Sequence, residues 1–354
     1  MIWNQKGVAL LAVIALISIL LTAGLHLAGV AGRSVLVTGQ HNDRYAAREM
    51  ALSAIHLAMA VLADDAGKND TDSIQEDWAN PEILAEMLSQ MGFDPEQLSV
   101  QITDELGKIQ VNALLKEFPG HHINPDQLRL WENLLHLLTS SDKSADDLDP
   151  RAVVNALKDW LDSGDDGAVS GLTGAETPFY RTLSPPYDCR NGPLDQVKEL
   201  LDITGIGPES NLTVMFEDIF TVHGLSDVRS TESFFSYSGR ININTAGIVV
   251  LKSLLPKGMD EFARDLIDFR EEKSEDDLTF VNPLDKGWYS RVIDLSKQEK
   301  DFFDRMICYH SHIFKVSTIA RVNQATVRLS GFIKREQHPK TNQWICRLVQ
   351  IEES

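Results

Sequence analysis

With 354 residues, a net charge of −19 and a pI near 4.9, the chain can bury several small cores and is too acidic to favour a nucleic-acid backbone. Its three cysteines, Cys189, Cys308 and Cys346, are far apart and form no Cys-x-x-Cys pair, which argues against a zinc ribbon or a thioredoxin-like redox site. One disulfide would fit an oxidising compartment, and the spacing selects no pairing.

The chain starts with a short polar leader ending in Lys6-Gly7, and residues 8–32 then carry no formal charge, His26 being the one titratable group. As a helix that run rises roughly 38 Å at about 1.5 Å per residue, enough to cross a bilayer core of about 30 Å. A secretory signal has a shorter apolar core, with its cleavage site behind it. Here the break in character precedes the apolar run, which suggests a cut at Gly7–Val8 that leaves the helix as the mature N-terminus. A single-pass anchor that is never processed is the competing reading. The arrangement resembles the type IV prepilins, and that resemblance implies a prepilin peptidase that cuts after Gly7 and methylates the amine of Val8. Most prepilins carry glutamate at the fifth mature position, whereas this chain has Ala12.

No proline occurs before Pro81, so the membrane helix is free to continue into solvent. Ala47, Met50, Ala51, Ala54, Ile55, Ala58, Val61 and Leu62 recur at spacings of three and four, one stripe of an amphipathic helix. Gly24, Gly29, Gly32 and Gly39 are candidate bending points. Asp64 to Asp77 reads as a polar connection and Leu84 to Met91 as a short helix. Leu98 to Thr103 and Lys108 to Ala113 alternate apolar and polar residues around Asp104-Glu-Leu-Gly107, which predicts a β-hairpin.

From Pro125 the pattern becomes helical. Leu128, Leu130, Trp131, Leu134, Leu135, Leu137 and Leu138 form one apolar face and Val153 to Leu161 another, and the signature persists to about Tyr309. Three strands follow: Phe314 to Ala320, Ala325 to Ile333 and Gln343 to Val349. Asn323-Gln324 joins the first two, and Pro339 lies in the turn before the third. The expected fold is α+β: a long N-terminal membrane-spanning helix on a small antiparallel sheet, interrupted by a large inserted all-helical domain. The corresponding divisions are 1–7 leader, 8–32 membrane helix, 33–112 helix and first strands, 113–310 insertion and 311–354 final strands. A separate C-terminal strand domain is the alternative, with a meagre core of its own.

The most suggestive acidic stretch is Lys158-Asp-Trp-Leu-Asp-Ser-Gly-Asp-Asp-Gly167, followed by Gly174-Ala-Glu-Thr-Pro-Phe-Tyr180 and Pro185-Pro-Tyr-Asp-Cys-Arg-Asn-Gly192. Asp159 and Asp162 share a face at a helix end, where the dipole is already negative. Hard oxygen donors with no histidine nearby in sequence favour calcium over zinc, although the spacing is not that of an EF-hand. A solvated acidic loop fits the same residues equally well. Together with Lys108-Ile-Gln-Val-Asn-Ala-Leu and Arg240-Ile-Asn-Ile-Asn-Thr-Ala, these motifs resemble the K-type minor pseudopilins of the general (type II) secretion pathway. The likeness runs along nearly the whole chain and includes the missing glutamate at Ala12. It implies a pseudopilin fold, calcium bound in the insertion, and Asp162, Asp165, Asp166, Glu176 and Asn191 as the positions matching the metal loop. It also implies a single-pass inner-membrane protein with a periplasmic domain. Its implied partners are the I- and J-type minor pseudopilins, the major pseudopilin and the prepilin peptidase, and its place is the tip of the pseudopilus.

Leu200 to Glu209, and Ile241 to Ile248 with Ala263 to Arg270, resemble helix-hairpin-helix motifs. Glu199, Asp202, Glu209, Glu217 and Asp218 surround the first against Lys198, which is the wrong charge for phosphate. Packing within the insertion is therefore the favoured reading over a membrane-tethered DNA receptor, and a minor pilin of a type IV pilus is the alternative in the same class. His121, His122, His136, His223, His310 and His312 are scattered, and neither Gly-x-Ser-x-Gly nor a phosphate loop occurs, so no enzyme activity is expected.

Overall fold

One helix, α1 (Lys6–Asp65), runs continuously through Gly24, Gly29, Gly32 and Gly39 in the computed structural model. The structure describes residues 6–141, 149–164, 169–206, 216–224, 234–275 and 279–353. The two halves of α1 meet different surroundings. From Val8 to Asn42 every residue is exposed, and this end of the helix is long and apolar enough to cross a membrane. From Ala47 onward the predicted stripe is buried, with Ala47, Ala51, Ala54, Ile55, Ala58 and Leu62 all inaccessible. The alanines let the helix lie close to the sheet, and Gly331 marks the approach: a Cβ there would sit 3.3 Å from Ile55 Cδ1.

That sheet has the order β1 (Leu98–Asp104), β6 (Ile313–Val322), β7 (Ala325–Gln337), β8 (Trp344–Glu353), antiparallel throughout. Alternation along β1 puts Leu98, Val100 and Ile102 inward. Asn323, in the left-handed region at φ 51°, turns β6 into β7. Helix α2 (Pro81–Gln90) starts on Asn80, whose side chain accepts from the amides of Glu82 and Ile83. It adds Leu84 and Leu88 to the core between α1 and the sheet. Because β1 pairs with β6, the C-terminal strands complete the first sheet and do not form a separate unit.

The predicted hairpin does not form. Asp104 ends β1 by accepting from the Leu106 amide, and Glu105–Gly107 is a single 3-10 turn. Gly107 passes against Thr245, where a Cβ would be 2.7 Å from the hydroxyl. The chain is thus led out of the sheet, and β2 (Ile109–Gln110) pairs in parallel with β3 (Phe220–Thr221). A second parallel pair joins β4 (Ile241–Asn242) to β5 (Ile307–Cys308). The insertion is therefore mainly helical but not all-helical.

Its helices are α3 (Pro125–Ser141), α4 (Pro150–Leu161), α5 (Thr177–Tyr180), α6 (Phe216–Ile219), α7 (Ile248–Leu254), α8 (Phe262–Glu271) and α9 (Lys297–Met306). They share a core distinct from that of the sheet, built on Leu130, Trp131, Val153, Leu157, Trp160, Leu251, Leu266 and Phe303. Arg270 of α8 is buried and donates to the carbonyls of Ile243 and Ala246, so this hairpin spends its basic residue on internal packing. All three cysteines are free thiols.

Buried polar side chains join the two cores. Asp104 Oδ2 accepts from Asn242 Nδ2 (2.8 Å), Thr245 Oγ1 (2.6 Å) and Ser311 Oγ (2.6 Å). Asp72 accepts from the Ser311 amide and from Arg335 Nη2, each at 2.6 Å, and Arg335 Nη1 reaches the Leu62 carbonyl near the end of α1. Each partner satisfies another that would otherwise be a costly buried polar group.

Candidate metal centre

Helix α4 builds the site. Asp149 caps it by accepting from the Arg151 amide, and Pro150 fills the first helical position. Val153, Leu157, Trp160 and Leu161 face the core, and the same burial carries Asp159 inside with them. The helix ends at Asp162, whose extended backbone departs from the helical path, and Gly164 follows at φ 122°. Asp165 and Asp166 lie outside the described residues.

The chain returns over α4 as a tight loop. The Ser170 amide donates to both carboxylate oxygens of Asp159, at 3.1 and 3.0 Å. Gly174 has no room for a side chain, because a Cβ would collide with Asp159 Oδ2. Glu176 is buried just before α5, where Pro178 and Thr177 open the helix. Cys189 ties the returning strand down: its amide donates to Thr177 Oγ1 and its thiol to the Asp159 carbonyl. Asn191 adopts φ 54° and donates its amide to the Trp160 carbonyl, between the two aspartates in sequence. Trp160 packs edge-on against Tyr180 and Tyr187, whose rings are tilted by 32° to each other, and the three pack against the core.

Asp159, Asp162 and Glu176 each contribute a carboxylate oxygen to a group within 4.8 Å of one another, all three buried. Lys158 is the compensating cation, with Nζ 2.9 Å from Asp162 Oδ2 and 2.7 Å from Ser170 Oγ. Three carboxylates against one ammonium leave a formal charge of −2 in a poorly solvated place, which is costly without a further cation. Asp162 Oδ1 and Asn191 Oδ1 are both buried with no hydrogen-bond donor. Burial raises the Asp162 carboxyl above its ordinary value, and Lys158 opposes the shift. The Cys189 thiol is pushed up to about 12 by burial and by Glu176, so it offers no thiolate. The donors are therefore hard oxygens, a set suited to a divalent cation of the calcium or magnesium kind.

Of the five positions matched to the metal loop, Asp162 and Glu176 bring carboxylate oxygens together, and the Asn191 backbone is bonded to Trp160 between Asp159 and Asp162. Asp159 belongs with them, although it was absent from the residues matched to the metal loop. Its three-residue spacing from Asp162 was the signal. The sequence neighbourhood holds no histidine, yet the fold brings His121 Nδ1 to 3.9 Å from Asp162 Oδ2, on the exposed side. Gly7, Val8 and Ala12 lie in the first turns of α1, far in sequence from this centre.

A second group of carboxylates, Asp65, Asp72 and Glu76, sits where the two cores meet. Arg335 closes it, bonding both oxygens of Asp72 and one of Asp65. Glu76 accepts from Trp78 Nε1 at 2.6 Å and from the Ser73 amide at 3.2 Å.

A family model described as type II secretion system, protein K matches residues 107–214, a span that includes the candidate centre. Type II secretion system protein K of Pectobacterium carotovorum subsp. carotovorum is 24% identical over 207 residues, and that of Klebsiella pneumoniae 28% over 208. Each match spans 57% of this chain and 59% of the relative's length. Among solved structures, a chain in the crystal structure of the GspK–GspI–GspJ complex from the enterotoxigenic Escherichia coli type 2 secretion system superposes with a TM-score of 0.63. The superposition covers 90% of this chain and 99% of that one at 17% identity, a likeness of fold.

Proposed function

We propose that this chain belongs to the protein K family of type II secretion systems and is a minor pseudopilin that starts and caps the secretion pseudopilus. The observation that carries the reading is the division of α1 into an exposed apolar half, of membrane-spanning length, and a half that forms the floor of the sheet. This is an assembly protein and not an enzyme. Prepilin peptidase cuts between Gly7 and Val8, the helix stays in the inner membrane, and the rest of the chain stands in the periplasm. Its partners are minor pseudopilins of the I and J types, with the major pseudopilin below.

Ala12 argues for the tip. In a stack of such helices, the glutamate at the fifth position neutralises the amino group of the neighbour above. A buried ammonium without a partner is expensive. With alanine there, this subunit can offer the Val8 amine to a glutamate below and has no carboxylate for a subunit above. The bulk of the insertion fits the same place, since it would crowd a thin shaft if repeated. In the metal centre calcium would be held by Asp159, Asp162, Glu176 and Asn191, with Asp165 and Asp166 as the remaining candidates.

Two measurements test the reading. The N-terminal mass of the protein from membranes should begin at Val8, and Gly7→Asp should leave the leader attached. Label placed on the periplasmic domain should appear once, at the end of sheared pseudopili. An intact Met1 in wild type, or label spaced along the shaft, overturns the proposal.

A further inference from the structure

Lys158 is a lysine set at the edge of a group of three buried carboxylates. Its side chain is 18% exposed and enters the metal centre from the rim. The ammonium takes Asp162 Oδ2 at 2.9 Å and Ser170 Oγ at 2.7 Å, and comes within 3.9 Å of Asp159 Oδ1. It therefore holds one of the three carboxylates that converge there, while the other oxygen of that same carboxylate, buried, has no donor. A lysine ammonium is a single point charge on a flexible stem, so it can leave such a place without dismantling a forked pair.

We infer that Lys158 is a resident counter-cation that a divalent ion must displace from Asp162, and that it thereby sets the affinity of the centre. The inference rests on the calcium reading above and adds the residue that regulates it. In the ion-free protein the ammonium offsets part of the charge of the three acids and ties Ser170 over α4. When the ion enters, Asp162 Oδ2 turns to it and Nζ moves out to water along the exposed side. Affinity in oxygen-ligand sites follows the net charge of the donors. Removing the ammonium removes a charge-assisted hydrogen bond that the ion would otherwise have to break, a change of about tenfold to a hundredfold in an equilibrium constant.

The test is calcium titration calorimetry on the full chain in detergent micelles after treatment with chelator, comparing wild type, Lys158→Arg and Lys158→Met. Methionine keeps the unbranched stem. Lys158→Met should bind calcium about tenfold to a hundredfold more tightly than wild type, and Lys158→Arg, whose planar fork is harder to displace, no more tightly than wild type. A lysine that only props the loop gives the opposite sign, with weaker calcium binding in Lys158→Met, and that result overturns the inference. So does unchanged affinity. Should Lys158→Met fail to fold, reductive methylation of wild type read by mass spectrometry takes its place. Labelling at Lys158 should rise severalfold when calcium replaces chelator, with exposed Lys68 as the internal control; equal labelling overturns the inference. Absence of calcium binding in wild type and variant alike rejects the calcium reading and this inference with it, whereas calcium binding that ignores Lys158 rejects this inference alone.

Discussion

The two groups of three carboxylates look alike on paper and are neutralised differently. At Asp65, Asp72 and Glu76 the counter-charge is a guanidinium, Arg335, only 5% exposed and forked onto both oxygens of Asp72. The remaining acid there takes up a proton: burial first, and Asp65 second, push Glu76 up to about 8. At Asp159, Asp162 and Glu176 the counter-charge is a lysine on one oxygen, at the rim, with buried acceptors left over. Convergent acids therefore do not by themselves define an ion site. What separates a joint from a site is whether the neutralising group is locked in or can be exchanged.

The comparison breaks most visibly at Arg335. Arg335→Met leaves Asp72 buried beside Asp65 without its partner, and should cost about 3–5 kcal/mol in denaturant unfolding of the full chain. That loss should be the same in calcium and in chelator. A calcium-dependent loss would mean that the joint, too, exchanges its cation.

The metal centre gives the next largest effect. At a hundredfold excess over its dissociation constant, calcium should add about 2.7 kcal/mol by mass action. Asp162→Asn with Glu176→Gln should erase the difference between calcium and chelator, leaving the Arg335 joint as it was. Equal melting of wild type in calcium and in chelator would remove the distinction between the two groups.

Much of this was legible in the sequence, and the reason is periodicity. The stripe from Ala47 to Leu62 and the alternation in Phe314 to Ile333 each state which face is buried, because helix and strand have fixed repeats. The hairpin failed for the complementary reason. Alternation around Asp104 to Gly107 was genuine, but pairing was decided by Ser311, Asn242 and Thr245, distant residues that all converge on Asp104. At the candidate centre, the resemblance pointed to Asp162, Asp165, Asp166, Glu176 and Asn191, of which Asp165 and Asp166 lie outside the described residues. Asp159 was marked by its three-residue spacing from Asp162, but its burial under the Ser170 amide and Gly174 depends on residues that only the fold brings over it. Arg335 could not have been paired with Asp72 from sequence at all, since nothing local links β7 to the turn after α1.

A smaller effect belongs to the proton at the joint. Burial lifts Glu76 from 4.5 to about 8, so the folded protein keeps a proton that the unfolded chain releases between those values. Stability from this group is full below about pH 4.5 and is lost as pH rises to about 8. After allowance for partial solvent screening, wild type should lose on the order of 1–2 kcal/mol through it between pH 5 and 8. Glu76→Gln keeps an acceptor for Trp78 Nε1 and should lack that decline. Asp104, buried and pushed up to about 6, contributes in the same direction below about pH 6 and remains in the variant, so the difference between the two curves isolates Glu76. Parallel curves would place the charge of the joint elsewhere.

The smallest effect belongs to a charge pair on exposed residues. Glu353 at the end of β8 accepts from Arg44 Nη2 at 2.6 Å and lies 3.5 Å from Arg48 Nε, where α1 leaves the sheet for its exposed half. The Arg44 hydrogen bond holds the Glu353 carboxyl below its ordinary value. Water competes for every one of these groups, and two long arginine side chains lose freedom to make the contact. Such pairs contribute little, so Glu353→Gln should lower the melting temperature by only about 1–3 °C. At 1 M salt, where charges are screened beyond about 3 Å, even that shift should vanish. The cost of Arg335→Met should persist in the same salt, because Asp72 and Arg335 meet where counter-ions cannot reach. A Glu353→Gln effect that is salt-independent, or as large as that of Arg335→Met, would show that burial is not what ranks the charge sites of this protein.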